Sequence, residues 1–140
     1  MVDRAQLIRE IEREEGWREH AYQDHLGFWT IGYGFLIDER KGGGLPKDIA
    51  DAWLEKLIAD IEESLDREIF WWRTLTEARQ RALINMAYQL GVNGLMAFQN
   101  MLAALRDADY ATAAKEALDS KWAKQTPQRA RRMAHMIEVG

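Results

Sequence analysis

At 140 residues, 47% of them hydrophobic and 30% charged, the chain has the length of about one domain and an ordinary globular balance. Global disorder is excluded, and the absence of cysteine excludes disulfides and thiolate metal sites. A net charge of −4 argues against nucleic-acid binding, which needs a concentrated positive surface. No apolar run approaches the roughly 20 residues of a membrane span. The first residues, MVDRAQLIREIEREEG, are charged and lack the apolar stretch of a secretory signal. These features predict a soluble protein made in the cytoplasm, without membrane insertion.

In chain order, residues 3–15 read as a helix with Asp3 as N-cap, Gly16 as stop, and Leu7, Ile8 and Ile11 as its apolar stripe. At about 100° per residue, Glu15 falls near the centre of that stripe and is expected to face inward. The glycine-punctuated run DHLGFWTIGYGF predicts a small hairpin or meander, with AYQD and FWTI as strands. A polar connection through GGG leads to Pro46 and a helix over about 46–66. Its stripe is Ile49, Trp53, Leu57 and Ile61, widened by Leu54, Ile58 and Leu65. Trp53 is expected in the core. Helices follow from Thr76 to Leu90, ended by GVNG, then over about 95–106, 109–121 and from 127 onward. Thr126 is expected to cap the last, with Pro127 at its first position. Trp71 and Trp72 form a short turn closing the helical part, and Trp122 reads as core.

Glycosidic cleavage needs one carboxylic acid to protonate the leaving oxygen and a second carboxylate acting across the ring. Glu15, inward at the negative end of a helix, meets conditions that disfavour its ionised form. Asp24, in a polar turn, suits the second role, and Thr30 on the returning strand can hold a water. The plainer reading is equally available: Asp serves turn chemistry and Thr serves strand propensity.

The run E-G-x5-Y-x-D-x2-G-x2-T-I-G-x-G, from Glu15 through Tyr22, Asp24, Gly27 and Thr30 to Gly34, resembles the phage-type lysozymes of glycoside hydrolase family 24. ALINMAYQLGVNGLMAFQNML and SKWAKQTPQRARR resemble that family's helical lobe. The resemblance implies an α+β, mostly α, lysozyme-like two-lobe fold. The N-terminal lobe spans about 12–48, a connecting helix about 46–66, and the C-terminal lobe about 67–140 together with helix 3–15. It implies an endolysin that cuts the β-1,4 bond between N-acetylmuramic acid and N-acetylglucosamine with inversion. Glu15 is then the general acid, Asp24 and Thr30 hold or activate the water, and Arg129 supports the acid. Leu36, Tyr88, Gln89, Met101 and Glu116 fall at saccharide-cleft positions, the last two with side chains unlike the family example's. The resemblance further implies a monomer that needs no cofactor or metal. Its partner is peptidoglycan, reached from the host cytoplasm at lysis through a separate holin.

Two rivals stay open. A lytic transglycosylase uses one acid and no water-activating Asp, so Asp24 and Thr30 argue against it. An inactive wall-binding module, or a DNA-binding helical domain, would use KWAKQTPQRARR, with five basic residues and no acid. Trp29, in the hairpin, is a candidate for sugar contact.

Overall fold

The computed structural model describes residues 3–37 and 42–140. The architecture is α+β and mostly α: one small antiparallel sheet near the N-terminus, then a run of helices. The chain divides into two compact units, Met1–Trp53 and Leu54–Gly140.

In the first unit, α1 (Arg4–Glu15) starts at Asp3, whose carboxylate accepts from the Gln6 N–H at 3.0 Å. It stops at Gly16, whose N–H returns to the Glu12 carbonyl at 2.9 Å. Strands β1 (Arg18–Gln23), β2 (Trp29–Gly32) and β3 (Phe35–Leu36) follow as a meander in the order β1-β2-β3. Tyr22 pairs with Thr30, and Thr30 with Leu36, so these three side chains form one row across the sheet. An irregularity between Arg18 and Tyr22 breaks the register of β1.

Helix α2 (Lys47–Glu68) crosses the boundary between the units. Pro46 stands just outside it, lending its carbonyl to the Ala50 N–H. Residues 38–41, in the connection before it, lie outside the described residues. Trp53, expected in the core, is instead 55% exposed. Within the second unit the stripe is increasingly covered: Ile58 is half-buried, Ile61 packs against the core and Leu65 is fully buried.

The second unit continues with a 3-10 turn (Trp72–Thr74) and helices α3 (Glu77–Met96), α4 (Gln99–Arg106), α5 (Tyr110–Leu118), α6 (Lys121–Gln125) and α7 (Pro127–Val139). GVNG breaks the helix after Leu90 as expected: Gly91 takes φ +76°, a left-handed backbone open to glycine, and a further helical stretch then runs to Met96. This displaces the start of the next helix from about 95 to Gln99. The expected helix over 109–121 ends at Leu118, because Ser120 caps the separate short α6 by accepting from the Ala123 N–H. Thr126 precedes Pro127 as expected, but its hydroxyl donates to the Trp122 carbonyl at 3.0 Å and caps nothing. The core gathers Leu65, Trp72, Leu83, Met86, Leu95 and Ile137. Buried alanines at 113, 114 and 117 of α5 and 130 and 134 of α7 are small enough for helix backbones to approach closely.

Arg79, only 6% exposed, is the one buried charge among the described residues. Its Nε donates to the Ile137 carbonyl at 2.7 Å and its second amine to the Glu138 carbonyl at 3.2 Å. The guanidinium also lies 3.3 Å from the centre of the Tyr110 ring. It thus satisfies end carbonyls of α7 and neutralises that helix's negative end. Arg79→Met is expected to lose about 2–4 kcal/mol, since charged hydrogen bonds and a helix-terminus interaction go together. Denaturant unfolding measures this, and an unchanged midpoint would contradict the assignment.

Asp66 accepts from the Trp72 indole and the Arg73 guanidinium, both at 2.7 Å. Arg73 first, and then Trp72, holds its carboxyl below the ordinary value of 3.8. Because the folded pKa is depressed, this contribution is present above the unfolded value and disappears as pH falls through the folded one. Melting temperature is therefore expected to fall less steeply below about pH 4 in Asp66→Asn than in wild type.

Candidate active site

The tight turn after β1 is built by Asp24. Its Oδ1 accepts from the backbone N–H groups of Leu26 and Phe28, each at 2.9 Å. Its own N–H donates to the Phe28 carbonyl at 2.8 Å, and the Gly27 N–H returns to the Asp24 carbonyl at 2.9 Å. A side chain that mimics a backbone turn is the reason for Asp here. Both side-chain bonds fall on one oxygen, so Oδ2 keeps its accepting capacity. The Phe28 N–H above all, with the Leu26 N–H and nearby His25, holds the Asp24 carboxyl below the ordinary carboxylate range; partial burial pushes the other way. Asp24 is thus an anion at neutral pH.

Thr30 is 5% exposed, and its hydroxyl donates to the Phe28 carbonyl at 3.2 Å. With its proton committed, the oxygen offers lone pairs. Glu15, the last residue of α1, arrives from the other side. Its carboxylate lies over Gly34 so closely that a Cβ there would collide with Oε2. Glu15, Asp24, Thr30 and Leu36 line one open pocket of about 870 Å³ together with Tyr22 and Phe28. The row Tyr22–Thr30–Leu36 supplies the sheet's face, and period-two alternation sets Asp24 and Phe28 on that face too.

Glu15 departs from its expected inward setting. It is exposed, because α1 buries no residue and its stripe of Leu7, Ile8 and Ile11 is itself exposed. Trp29, a candidate for sugar contact, lies elsewhere. Next to Thr30 on β2, it points to the opposite face, lies against Gly43 and does not line the pocket.

The remaining predicted residues belong to the second unit. Tyr88 is exposed and borders a pocket of about 500 Å³ with Asn85 and Arg129. Arg129 donates through Nε to Asn85 Oδ1 at 2.9 Å and through its second amine to the Asn85 carbonyl at 3.2 Å. Gln89 accepts from the Trp122 indole at 2.9 Å, which commits its oxygen and leaves its NH2. Glu116, half-buried, lines a groove of about 460 Å³. Met101 reaches the edge of that groove but is 1% exposed, its bulk being core.

Tyr22, Phe28 and Gly34 are pocket residues that sequence reasoning did not single out as site residues. Strand alternation carries the signal for the first two, since each stands two residues from Asp24 or Thr30. For Gly34 no local signal points to a carboxylate arriving from another element.

The phage lysozyme family model matches residues 12–135, nearly the whole chain and all of the pocket. The chain belongs to the phage lysozyme family. A probable T4-type lysozyme of Dictyostelium discoideum is 29% identical over 93% of this chain and 92% of its own length. An endolysin of Acyrthosiphon pisum secondary endosymbiont phage 1 is 31% identical over 81% of this chain and 75% of its own. The pre-baseplate central spike protein Gp5 of Enterobacteria phage T4 is 30% identical over 93% of this chain, which spans only 27% of that protein. Membership of the phage lysozyme family makes the chain a glycoside hydrolase of the peptidoglycan-degrading class.

The close approach of Glu15 to Gly34 carries its own test. Gly34 has φ +72°, so an alanine there is strained by about 1–2 kcal/mol. The larger consequence for a phage lysozyme is that the methyl group must push the Glu15 carboxylate aside. On the role proposed for Glu15 below, Gly34→Ala is expected to lower activity by about 10²-fold, with a small drop in melting temperature. Equal activity at equal folded fraction would contradict this.

Proposed function

We propose that this chain is an endolysin that hydrolyses the β-1,4 bond between N-acetylmuramic acid and N-acetylglucosamine. The observation that carries the reading is the meeting of Glu15, Asp24 and Thr30 in one pocket of the first unit. Glu15 donates its proton to the leaving oxygen as the glycosidic bond breaks. A sugar lying over the carboxyl excludes bulk water from the bond being broken. One water donates to Asp24 Oδ2 and to the lone pairs of Thr30 Oγ1. It attacks the anomeric carbon from the face opposite the leaving group, and Asp24 takes its proton. Solvent then reprotonates Glu15 and deprotonates Asp24.

Attack by a held water inverts the anomeric carbon. Leu36 is the subsite residue inside this pocket. Tyr88, Gln89 and Glu116 are further saccharide contacts on the second unit, and Met101 contributes through the groove edge. Arg129 supports the acid, as the family resemblance implies. The protein acts as a monomer, made in the host cytoplasm and admitted to the wall by a separate holin. The endolysin and T4-type lysozyme names of its relatives support this reading.

Proton NMR of freshly released sugar ends tests the water's place. The α anomer is expected first. Initial release of the β anomer would mean that Asp24 acts as a covalent nucleophile, and the role given to Thr30 would fall.

A further inference from the structure

The second unit holds Trp71, Trp72 and Trp122. The Trp72 indole donates to Asp66 at 2.7 Å and the Trp122 indole to Gln89 at 2.9 Å. Trp71 is half-buried, and its indole N–H has no acceptor among the described residues, although every buried polar side-chain atom there has one. Its N–H is therefore a free donor on a partly covered aromatic plate.

That plate borders a groove of about 660 Å³, within the range of roughly 300–1,000 Å³ usual for small-ligand sites. Met96 and Leu102 continue its apolar surface over buried Ile69, while Glu68, Gln99, Arg106 and Asp107 supply polar groups. Among the described residues no ion pair joins Arg106 to Glu68 or Asp107, so these groups retain their hydrogen-bonding capacity. Beside the groove Phe70 is 73% exposed, with the Arg106 guanidinium 6.0 Å from its ring centre. None of these residues has a part in the hydrolysis described above.

The chemistry of the groove selects its ligand. A wholly apolar partner would strip water from three charged side chains and return nothing. An anion would face two carboxylates against one guanidinium. A pyranose ring offers a face of C–H groups for the indole and equatorial hydroxyls for the rim. Those hydroxyls donate to Glu68 and Asp107 and accept from Arg106, Gln99 and the Trp71 N–H.

We infer that the Trp71 groove is a second, non-catalytic saccharide site that holds a β-linked N-acetylhexosamine chain. The choice of sugar rests on the muramidase reading, whereas the choice of a saccharide rests on the groove. A second hold on the same polymer raises the local concentration of glycan around the enzyme without any new catalytic contact.

The test is a titration of the full 15N-labelled chain with the tetramer of β-1,4-linked N-acetylglucosamine, which lacks the bond proposed for cleavage. The Trp71 indole signal is expected to move saturably and that of Trp72 to stay, while Trp122, bonded to Gln89, reports separately on the first cleft. Arg106→Ala is expected to keep the wild-type melting temperature and to weaken binding seen at Trp71 about tenfold, equivalent to about 1.4 kcal/mol. A Trp71 signal that does not move, or wild-type affinity in Arg106→Ala, overturns the inference. Peptidoglycan hydrolysis measured on the same sample separates the two readings. Movement at Trp71 without hydrolysis keeps the saccharide site and removes the muramidase; hydrolysis with an unmoved Trp71 does the reverse.

Discussion

Glu15→Gln is expected to lower peptidoglycan hydrolysis by about 10²–10⁴-fold, the range usual for removing a general acid. The substitution keeps the size of the side chain and replaces the ionisable carboxyl by an amide that cannot act as an acid. Glu15 is exposed and accepts no hydrogen bond on which the end of α1 depends, since Gly16 closes that helix through the Glu12 carbonyl. The melting temperature is therefore expected to match wild type. A loss of activity in parallel with a loss of folded protein would leave Glu15 without a chemical role.

The second large effect is expected at Asp24, where the two oxygens do different work. Oδ1 holds the turn through Leu26 and Phe28, and Oδ2 is the oxygen proposed to take a proton from water. Asn in the same rotamer keeps an acceptor at Oδ1 and replaces Oδ2 by an NH2 group that can only donate. Asp24→Asn is thus expected to retain the turn and the melting temperature while losing activity by about 10²–10⁴-fold. Asp24→Ala is expected to lose both activity and stability, because two turn N–H groups lose their acceptor. Because the carboxyl lies below the ordinary range, Asp24 stays ionised as pH falls toward 4, and any loss of activity above that pH arises elsewhere. Full activity in Asp24→Asn would return Asp24 to turn chemistry alone.

Much of this site was legible in the residues because its signals are local. Asp3 and Gly16 bracket α1 by capping rules. The glycines at 27, 32 and 34 bound a meander too short for anything else, and the period of two across WTIG sets Thr30 and Trp29 on opposite faces. At Trp29 aromatic character points toward sugar, whereas alternation turns the side chain away from the pocket. What remained hidden depends on contacts between elements distant in sequence. Arg79 finds its carbonyls 58 and 59 residues later, at the end of α7. Trp53 sits in a faultless apolar stripe, yet periodicity reports which face is apolar and not whether a neighbour covers it. The same holds for Glu15, whose central place on the stripe did not translate into burial. GVNG carries the glycine that breaks α3, but composition does not reveal whether a chain that turns at Gly91 then resumes its helix.

The central claim is that water, held by Asp24 and Thr30, opens the bond protonated by Glu15. Digestion of purified peptidoglycan in 18O-labelled water, with mass spectrometry of the new sugar ends, tests it most directly. One 18O atom at each new reducing N-acetylmuramic acid end is the result predicted. Anhydro ends without label would contradict the account, because they form when the sugar's own hydroxyl closes the ring and no water takes part.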